Sequence, residues 1–260
     1  EGIQGLVIDV KIGNGAFMET LAEGQELATL LQQIGENFHV STDIVFSSMD
    51  QPLGRYAGLW CEVTEVINCL QSEGPEDTMA VTFELGSRLL IQAKTASNKS
   101  AAMNLQRELI ESGRALDKFL EMVTAHGGNR ADIASFQTLH LPAEETVLSA
   151  QHSGAISAMN TKLIGLANSE LGCGRKELAD LLDPTAGMEF YHKIGDQVTE
   201  GEPLIRLFNS NSEKLREKFT TPFIPTGYHS AWAQYSILAG NSSHEHFAAT
   251  GREGTGTRIG

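Results

Sequence analysis

Cysteine is scarce. The 260 residues hold three, Cys61, Cys69 and Cys173, widely spaced along the chain. They give neither a disulfide framework nor a paired CxxC metal knuckle, and such sparse usage fits a reducing compartment, so a cytoplasmic location is expected. Positive charge is short as well: 19 Lys and Arg stand against 33 Asp and Glu, for a net charge of −14. A polyanion such as DNA is gripped through a cationic face, so no nucleic-acid partner is expected, while one small anion in a locally positive pocket stays compatible. Long apolar runs are missing too. The stretch around Leu89 to Ile91 falls far short of the roughly 20 residues of a membrane span, so no membrane partner is expected. No HExxH, Walker loop or Gly-x-Ser-x-Gly elbow occurs. His244 and His246 flank a glutamate in a patternless stretch with no third ligand nearby, and the other histidines show no ligand spacing.

What is present is a strand–helix–strand beginning. Leu6 to Val10 is a short β-branched run of the kind found in buried parallel strands. Gly13 and Gly15 form a turn, Thr20-x-x-Glu23 is a capping-box pattern, and Leu27, Leu30, Leu31 and Ile34 recur at helical spacing up to a stop at Gly35. Val40 to Phe46 supplies the next strand, and this βαβ unit implies a parallel sheet. After turn chemistry at Ser48 to Gly54, helices are predicted on Trp60, Val63, Ile67 and Leu70, from about Asp77 to Ala93, and from Lys99 to about Val123, ended by Gly127-Gly128. Near Pro142 the texture changes. A helix start is read at Lys162 to Asn168, and strands at Met188 to Val198 and Leu204 to Leu207 with turns at Gly195-Asp196 and Glu200-Gly201. The fold class is therefore α/β: part of a parallel or mixed sheet with helices over residues 1–138, a smaller α+β unit over 139–217, and an irregular tail over 218–260. The chain opens Glu-Gly-Ile-Gln-Gly-Leu without methionine, and a strand follows almost at once, so a segment beginning inside a fold is expected.

In open α/β sheets ligands gather at the carboxyl ends of the strands. There Gly13 and Gly15 permit close backbone approach, the following helix offers its positive end, Phe17 can present a ring to a flat heterocycle, and Lys11 can add charge or hold the loop. On these residues alone, ordinary core architecture competes with a binding site.

Asp9-Val-Lys-Ile-Gly-Asn-Gly-Ala-Phe-Met18 resembles the DVKxGxGAFM signature of the pyrimidine-nucleoside and thymidine phosphorylases. Ser48-Met-Asp-Gln-Pro-Leu-Gly-Arg55 resembles their DMxQPLGR turn, and Gly58 through Glu65 the GNxLEVxE helix after it. Gly172-Cys-Gly-Arg175, Asp180, Gly187 and the Gly195-Asp-x-Val-x-x-Gly-x-Pro-Leu204 run resemble their C-terminal domain. The resemblance runs in order over residues 1 to about 210. It implies the second half of the family's α/β domain followed by its C-terminal α+β domain.

It also implies phosphorolysis of thymidine or uridine to free base and pentose 1-phosphate, with inorganic phosphate and a pyrimidine nucleoside as partners and a homodimer when complete. The family's phosphate loop and its base-binding Arg, Ser and Lys are expected upstream, which leaves no catalytic residue here. What carries over is Phe17 against the pyrimidine, with Lys11 in support, and a monovalent cation (potassium) site from the carbonyls of Leu53 and Tyr56 with the carboxylate of Glu65. Glu62 and Glu65, three apart, would otherwise read as a solvated helix edge; with the motif match the cation role is favoured for Glu65. Two positions depart from the pattern: Tyr56 stands where alanine is usual, and Leu59 replaces Asn. The Gly195 to Gly201 turn is also similar to biotinyl and lipoyl carriers, with Lys162 as the attachment candidate, but the lysine precedes the turn it should follow, and a structural hairpin is the better reading. Cys173 between two glycines is read as packing. No organic cofactor is expected. The alternative function is a non-catalytic binding or assembly protein on the same scaffold; the anthranilate phosphoribosyltransferase class is a weaker one, opposed by the PLGR and GDxVxxG motifs.

Overall fold

The structure, a computed structural model, describes residues 2–175, 177–211, 215, 237–238 and 257–259. Its elements in chain order are β1 (Gly5–Ile12), α1 (Leu21–Asn37), β2 (Ser41–Ser48), β3 (Tyr56–Gly58), α2 (Trp60–Leu70), α3 (Glu76–Gln92), α4 (Lys99–Glu111), α5 (Arg114–Ala125), α6 (Arg130–Ala134), β4 (Glu144–Ser149), β5 (Gly154–Ile156), α7 (Thr161–Asn168), β6 (Gly187–Phe190), β7 (Gln197–Val198), β8 (Pro203–Asn209), β9 (Ile237–Leu238) and β10 (Thr257–Ile259). They divide into two units: Glu1–Met49, Asn68–Ala125 and Glu245–Gly260 form the first, and Asp50–Ile67 with His126–His244 the second. The division falls inside α2, between Ile67 and Asn68.

In the first unit β1 and β2 pair in parallel from Gly5↔Ser41 to Ile12↔Ser48, with α1 as the crossover. β10 joins the other side of β2. Strand alternation sends Val10, Ile12, Ile44 and Phe46 to one face, where Ala28, Leu27 and Leu31 of α1 cover them. The opposite face meets α3, whose Gln92 Nε2 donates to Leu6 O at 3.2 Å and to Asp43 Oδ2 at 3.0 Å. With both faces covered, Ile44 to Ser47 are buried in an unbroken run, as a parallel strand requires. α4 packs back on α3 through polar interlocks. Gln106 Nε2 donates to Ser87 Oγ at 2.9 Å, and the buried Glu84 carboxylate meets Arg88 and Lys99 at 2.9 and 2.5 Å.

The capping box forms as predicted: Glu23 N donates to Thr20 Oγ1 while Glu23 Oε2 accepts from Thr20 N. Two helix boundaries differ from the sequence expectation. α1 runs on past Gly35 to Asn37, because Gly35 serves a close approach; a Cβ there would lie 2.1 Å from Thr42 Oγ1. The helix expected over Lys99 to Val123 is two helices, because Gly113 takes φ +76 between them and its carbonyl receives the Asp117 N–H that starts α5.

The second unit holds an antiparallel sheet in the order β3-β6-β8-β4, and β5 pairs with β7 and β9. Its core gathers Ile164, Ala167 and Leu171 from α7 and the wide turn after it against Met188 and Phe190 of β6 and Leu204, Ile205 and Leu207 of β8. The strand expected over Met188 to Val198 is interrupted: β6 stops at Phe190, and a hairpin turn precedes β7, with Gly195 at φ +100 and Asp196 Oδ2 accepting from Lys193 N at 2.8 Å. Gly58 and Gly187 face each other in register, and a Cβ on either would meet backbone or the Cys61 sulfur inside 3.0 Å. Of the stretch expected to be an irregular tail, only Ile237–Leu238 and Thr257–Ile259 are among the described residues.

Candidate functional site

The sequence candidates fall in the two units as Lys11 and Phe17, and as Leu53, Tyr56 and Glu65. In the first unit β1 and β2 end level with one another, and the loop leaving β1 is stapled to both ends. Met49 N donates to Ile12 O at 2.6 Å, Gly15 N to Met49 O at 3.0 Å, and Gly13 N to Met18 O at 3.2 Å. Gly13 makes the first bend at φ +124, a conformation its neighbours with side chains would resist. On this fixed loop Phe17 is 100% exposed. A rigidly presented, wholly wetted ring is the arrangement a flat apolar or aromatic ligand can exploit, because the loop's ordering is already complete before contact.

Lys11 plays a holding role in this geometry. Its ammonium donates to Ser47 Oγ at 2.8 Å and pairs with Asp9 Oδ2 at 2.7 Å, while Ser47 Oγ donates to Asp9 Oδ1 at 2.5 Å. The closed triangle ties the strand ends from which the Phe17 loop hangs. At the start of α1 the capping box takes up two N–H groups: Thr20 N donates to the Glu23 carboxylate and Glu23 N to the Thr20 hydroxyl.

In the second unit the turn at Gln51 to Tyr56 is held on several sides. Gly54 sits at φ +74, the left-handed position that the Pro-Leu-Gly sequence supplies. Glu65 of α2 is only 8% exposed, and its Oε2 accepts from Arg55 N at 2.7 Å and Tyr56 N at 3.2 Å. The solvated-edge reading therefore fails for Glu65. Neighbouring Glu62 accepts from Gly58 N at 2.8 Å. The Lys193 ammonium donates to the carbonyls of Pro52 and Gly54, and Gln51 Oε1 accepts from Ile194 N at 2.8 Å.

Behind the turn, buried Glu189 gathers Arg55 Nε and Nη2 at 2.8 and 2.7 Å, Arg206 Nη2 at 2.8 Å and the Tyr56 hydroxyl at 3.1 Å. Burial, then the Glu189 charge, pushes the Tyr56 hydroxyl up to about 12, so it stays a donor. The departure at Tyr56 thus adds a side-chain bond that an alanine could not make. Leu53 stands exposed at the tip of the turn.

Burial pushes the Cys61 and Cys173 thiols up to about 12, so both remain protonated, and Cys173 packs against the core as expected. Among the described residues no three His, Cys, Asp or Glu side chains are placed to hold a metal ion, and no helix is long and apolar enough to cross a membrane. His244 and His246 lie outside the described residues. The sequence reading missed Ser47, Glu189 and Lys193. Lys193 had a signal, since it stands two residues before the Gly195-Asp196 turn; Glu189 in a short apolar strand had none.

Residues 155–221 match the family model described as pyrimidine nucleoside phosphorylase C-terminal domain. The chain is 37% identical over 214 residues to a pyrimidine-nucleoside phosphorylase of Staphylococcus haemolyticus, covering 82% of this chain and 49% of that protein. It is 36% identical over 216 residues to the pyrimidine-nucleoside phosphorylase of Bacillus subtilis, covering 83% of this chain and 50% of the relative. The chain thus spans about half the length of the curated relatives it matches, and the resemblance read from its motifs is borne out.

Proposed function

We infer that this chain, a relative of the pyrimidine-nucleoside phosphorylases, supplies part of the cleft in which such an enzyme cleaves a pyrimidine nucleoside with inorganic phosphate. In that reaction a phosphate oxygen bonds to the anomeric carbon of the pentose. The bond from that carbon to the ring nitrogen breaks, and its electron pair leaves with the base. The products are free thymine or uracil and pentose 1-phosphate. The departing base is flat and gains negative charge, so it calls for a ring to lie against and for positive donors. The Phe17 ring fills the first need. The Asp9–Lys11–Ser47 triangle fixes the strand ends beneath it. We assign these residues binding and positioning roles, and no residue of this chain the chemical step.

A monovalent cation, potassium by the family resemblance, is held in this reading by the Leu53 and Tyr56 carbonyls and Glu65. One feature supports the fit. Phe190 N donates to Arg55 O at 2.8 Å, and ladder alternation then turns the peptide groups of Tyr56 away from β6, to the side where Glu65 accepts the Tyr56 N–H. Hard oxygen donors of this kind suit an alkali cation, which would fix the turn. The complete protein acts as a homodimer in the cytoplasm.

The observation that carries the reading is the fully exposed Phe17 on a loop stapled to the carboxyl ends of two parallel strands. Its test is an assay of the complete reading frame with thymidine and uridine. Base release that requires phosphate is the expected result. A complete protein that releases no base from any pyrimidine nucleoside, yet still binds one, would leave the non-catalytic alternative standing. Purified residues 1–260 are expected to show no turnover by themselves.

A further inference from the structure

The turn at Gln51 to Tyr56 is bracketed by opposite charges. On its N–H side the Glu65 carboxylate accepts from Arg55 N and Tyr56 N. On its C=O side the Lys193 ammonium donates to the carbonyls of Pro52 and Gly54, two peptide groups apart. The left-handed φ of +74 at Gly54 shapes the turn around them. The ammonium also stands 5.9 Å from the centre of the Phe190 ring, a second environment that favours a cation. Its backbone is anchored independently: Lys193 N donates to Asp196 Oδ2 at 2.8 Å, and Ile194 N to Gln51 Oε1 at 2.8 Å. The Gly195-Asp196 hairpin therefore delivers this lysine, and the turn receives it.

We propose that the Pro52 and Gly54 carbonyls form a cation seat whose resident cation is the Lys193 ammonium, which makes Lys193 a positioning residue for the whole Gln51 to Tyr56 turn. The seat is distinct from the Leu53, Tyr56 and Glu65 set, since it uses the carbonyls on either side of Leu53. Carbonyl oxygens spaced to accept from an ammonium also suit free ammonium or potassium, which have the same charge and prefer several neutral oxygen donors. A lysine that merely filled space or balanced surface charge would leave no such vacancy behind. Neither the seat nor its test depends on phosphorolysis, because no substrate is involved.

The experiment compares wild type with Lys193→Ala, which opens the seat, and Lys193→Met, which keeps the stem and removes the charge. Hydrogen exchange at the Arg55 and Tyr56 amides and the thermal midpoint are read in ammonium, potassium and choline chloride at equal ionic strength. Losing a charge-assisted hydrogen bond should speed exchange at both amides by roughly tenfold or more in either variant. In Lys193→Ala, ammonium and potassium should restore most of that protection beyond any change they cause in wild type, and choline, too large for the seat, should not. Lys193→Met should stay fast in all three salts. Unchanged exchange in both variants, or equal recovery in choline, overturns the proposal. Should the variants fail to fold, nitrogen-15 spectra of lysine-labelled wild type decide it. A seated ammonium gives a slowly exchanging NH3+ signal at neutral pH, and a Lys193 signal exchanging as fast as surface lysines refutes the seat.

Discussion

Glu65 offers the sharpest test of how the second unit's turn is held. The residue is 8% exposed, and one of its oxygens receives two backbone donors, Arg55 N at 2.7 Å and Tyr56 N at 3.2 Å. Glu65→Ala leaves both donors without that acceptor. A buried donor left unpaired costs about 1–3 kcal/mol, so two set a ceiling near 6 kcal/mol. Water entering the space left by the side chain offsets part of this, which brings the expected loss to about 2–4 kcal/mol. Glu65→Gln keeps an oxygen of the same shape in the same place and gives up the charge, so about 1 kcal/mol is expected. Urea unfolding followed by far-ultraviolet circular dichroism reads the difference. With a slope of about 1–3 kcal/mol per molar, the alanine midpoint should fall by roughly 1 M or more and the glutamine midpoint by about half as much or less. Exchange at the two amides should quicken in the same order. If the two variants lose equally, or if alanine costs under about 0.5 kcal/mol, the turn does not hang on this carboxylate and the reasoning fails.

Four further outcomes follow from the structure. Phe17→Ala should leave the unfolding midpoint within about 0.5 kcal/mol of wild type, because the ring buries nothing on folding; under the proposed function, in which the ring lies against the base, kcat/KM of the complete protein should fall roughly tenfold or more. Gly58→Ala should destabilise by about 1–3 kcal/mol in urea titration, since its Cβ would lie 2.7 Å from the Ala186 carbonyl and the Gly187 backbone. In Glu84, burial pushes the carboxyl up, but hydrogen bonds from Lys99 and Arg88 outweigh it and hold the group below its ordinary 4.5. The stability it contributes is therefore complete above that value and disappears as pH falls through the lower folded one, so the urea midpoint should drop below about pH 4.5, less steeply in Glu84→Gln. Iodoacetamide at about pH 8 should leave Cys61 and Cys173 unmodified by mass spectrometry until urea unfolds the chain, since burial holds both thiols near 12.

Local patterns carried much of the architecture. The β-branched run at Leu6 to Val10, the capping box at Thr20 and Glu23, and the glycine turns at Gly13, Gly195 and Gly201 state their structure within a few residues, and each formed where the pattern put it. Those same short stretches carry the family resemblance, because a phenylalanine after a glycine turn or a Pro-Leu-Gly corner is a local device. Other features are pairwise or longer-range, and no single segment announces them. Gly113 lies inside the helix expected from Lys99 to about Val123, and its left-handed backbone splits α4 from α5. Gly35 looked like a helix stop, yet Thr42 across the chain is what requires it.

The amino-acid sequence by itself determined the parallel βαβ start, the ring offered at Phe17 and the kinship to nucleoside phosphorylases, since all three rest on side chains a turn or a strand apart. Tertiary structure alone decided that Lys11 is spent on Asp9 and Ser47, that Glu65 grips backbone amides, and that Lys193 and Glu189 reach back more than 130 residues to the Gln51 to Tyr56 turn. The reason is physical: a charge buried among peptide groups is placed by whatever donors and acceptors the fold brings to it, and those partners leave no periodicity in the chain.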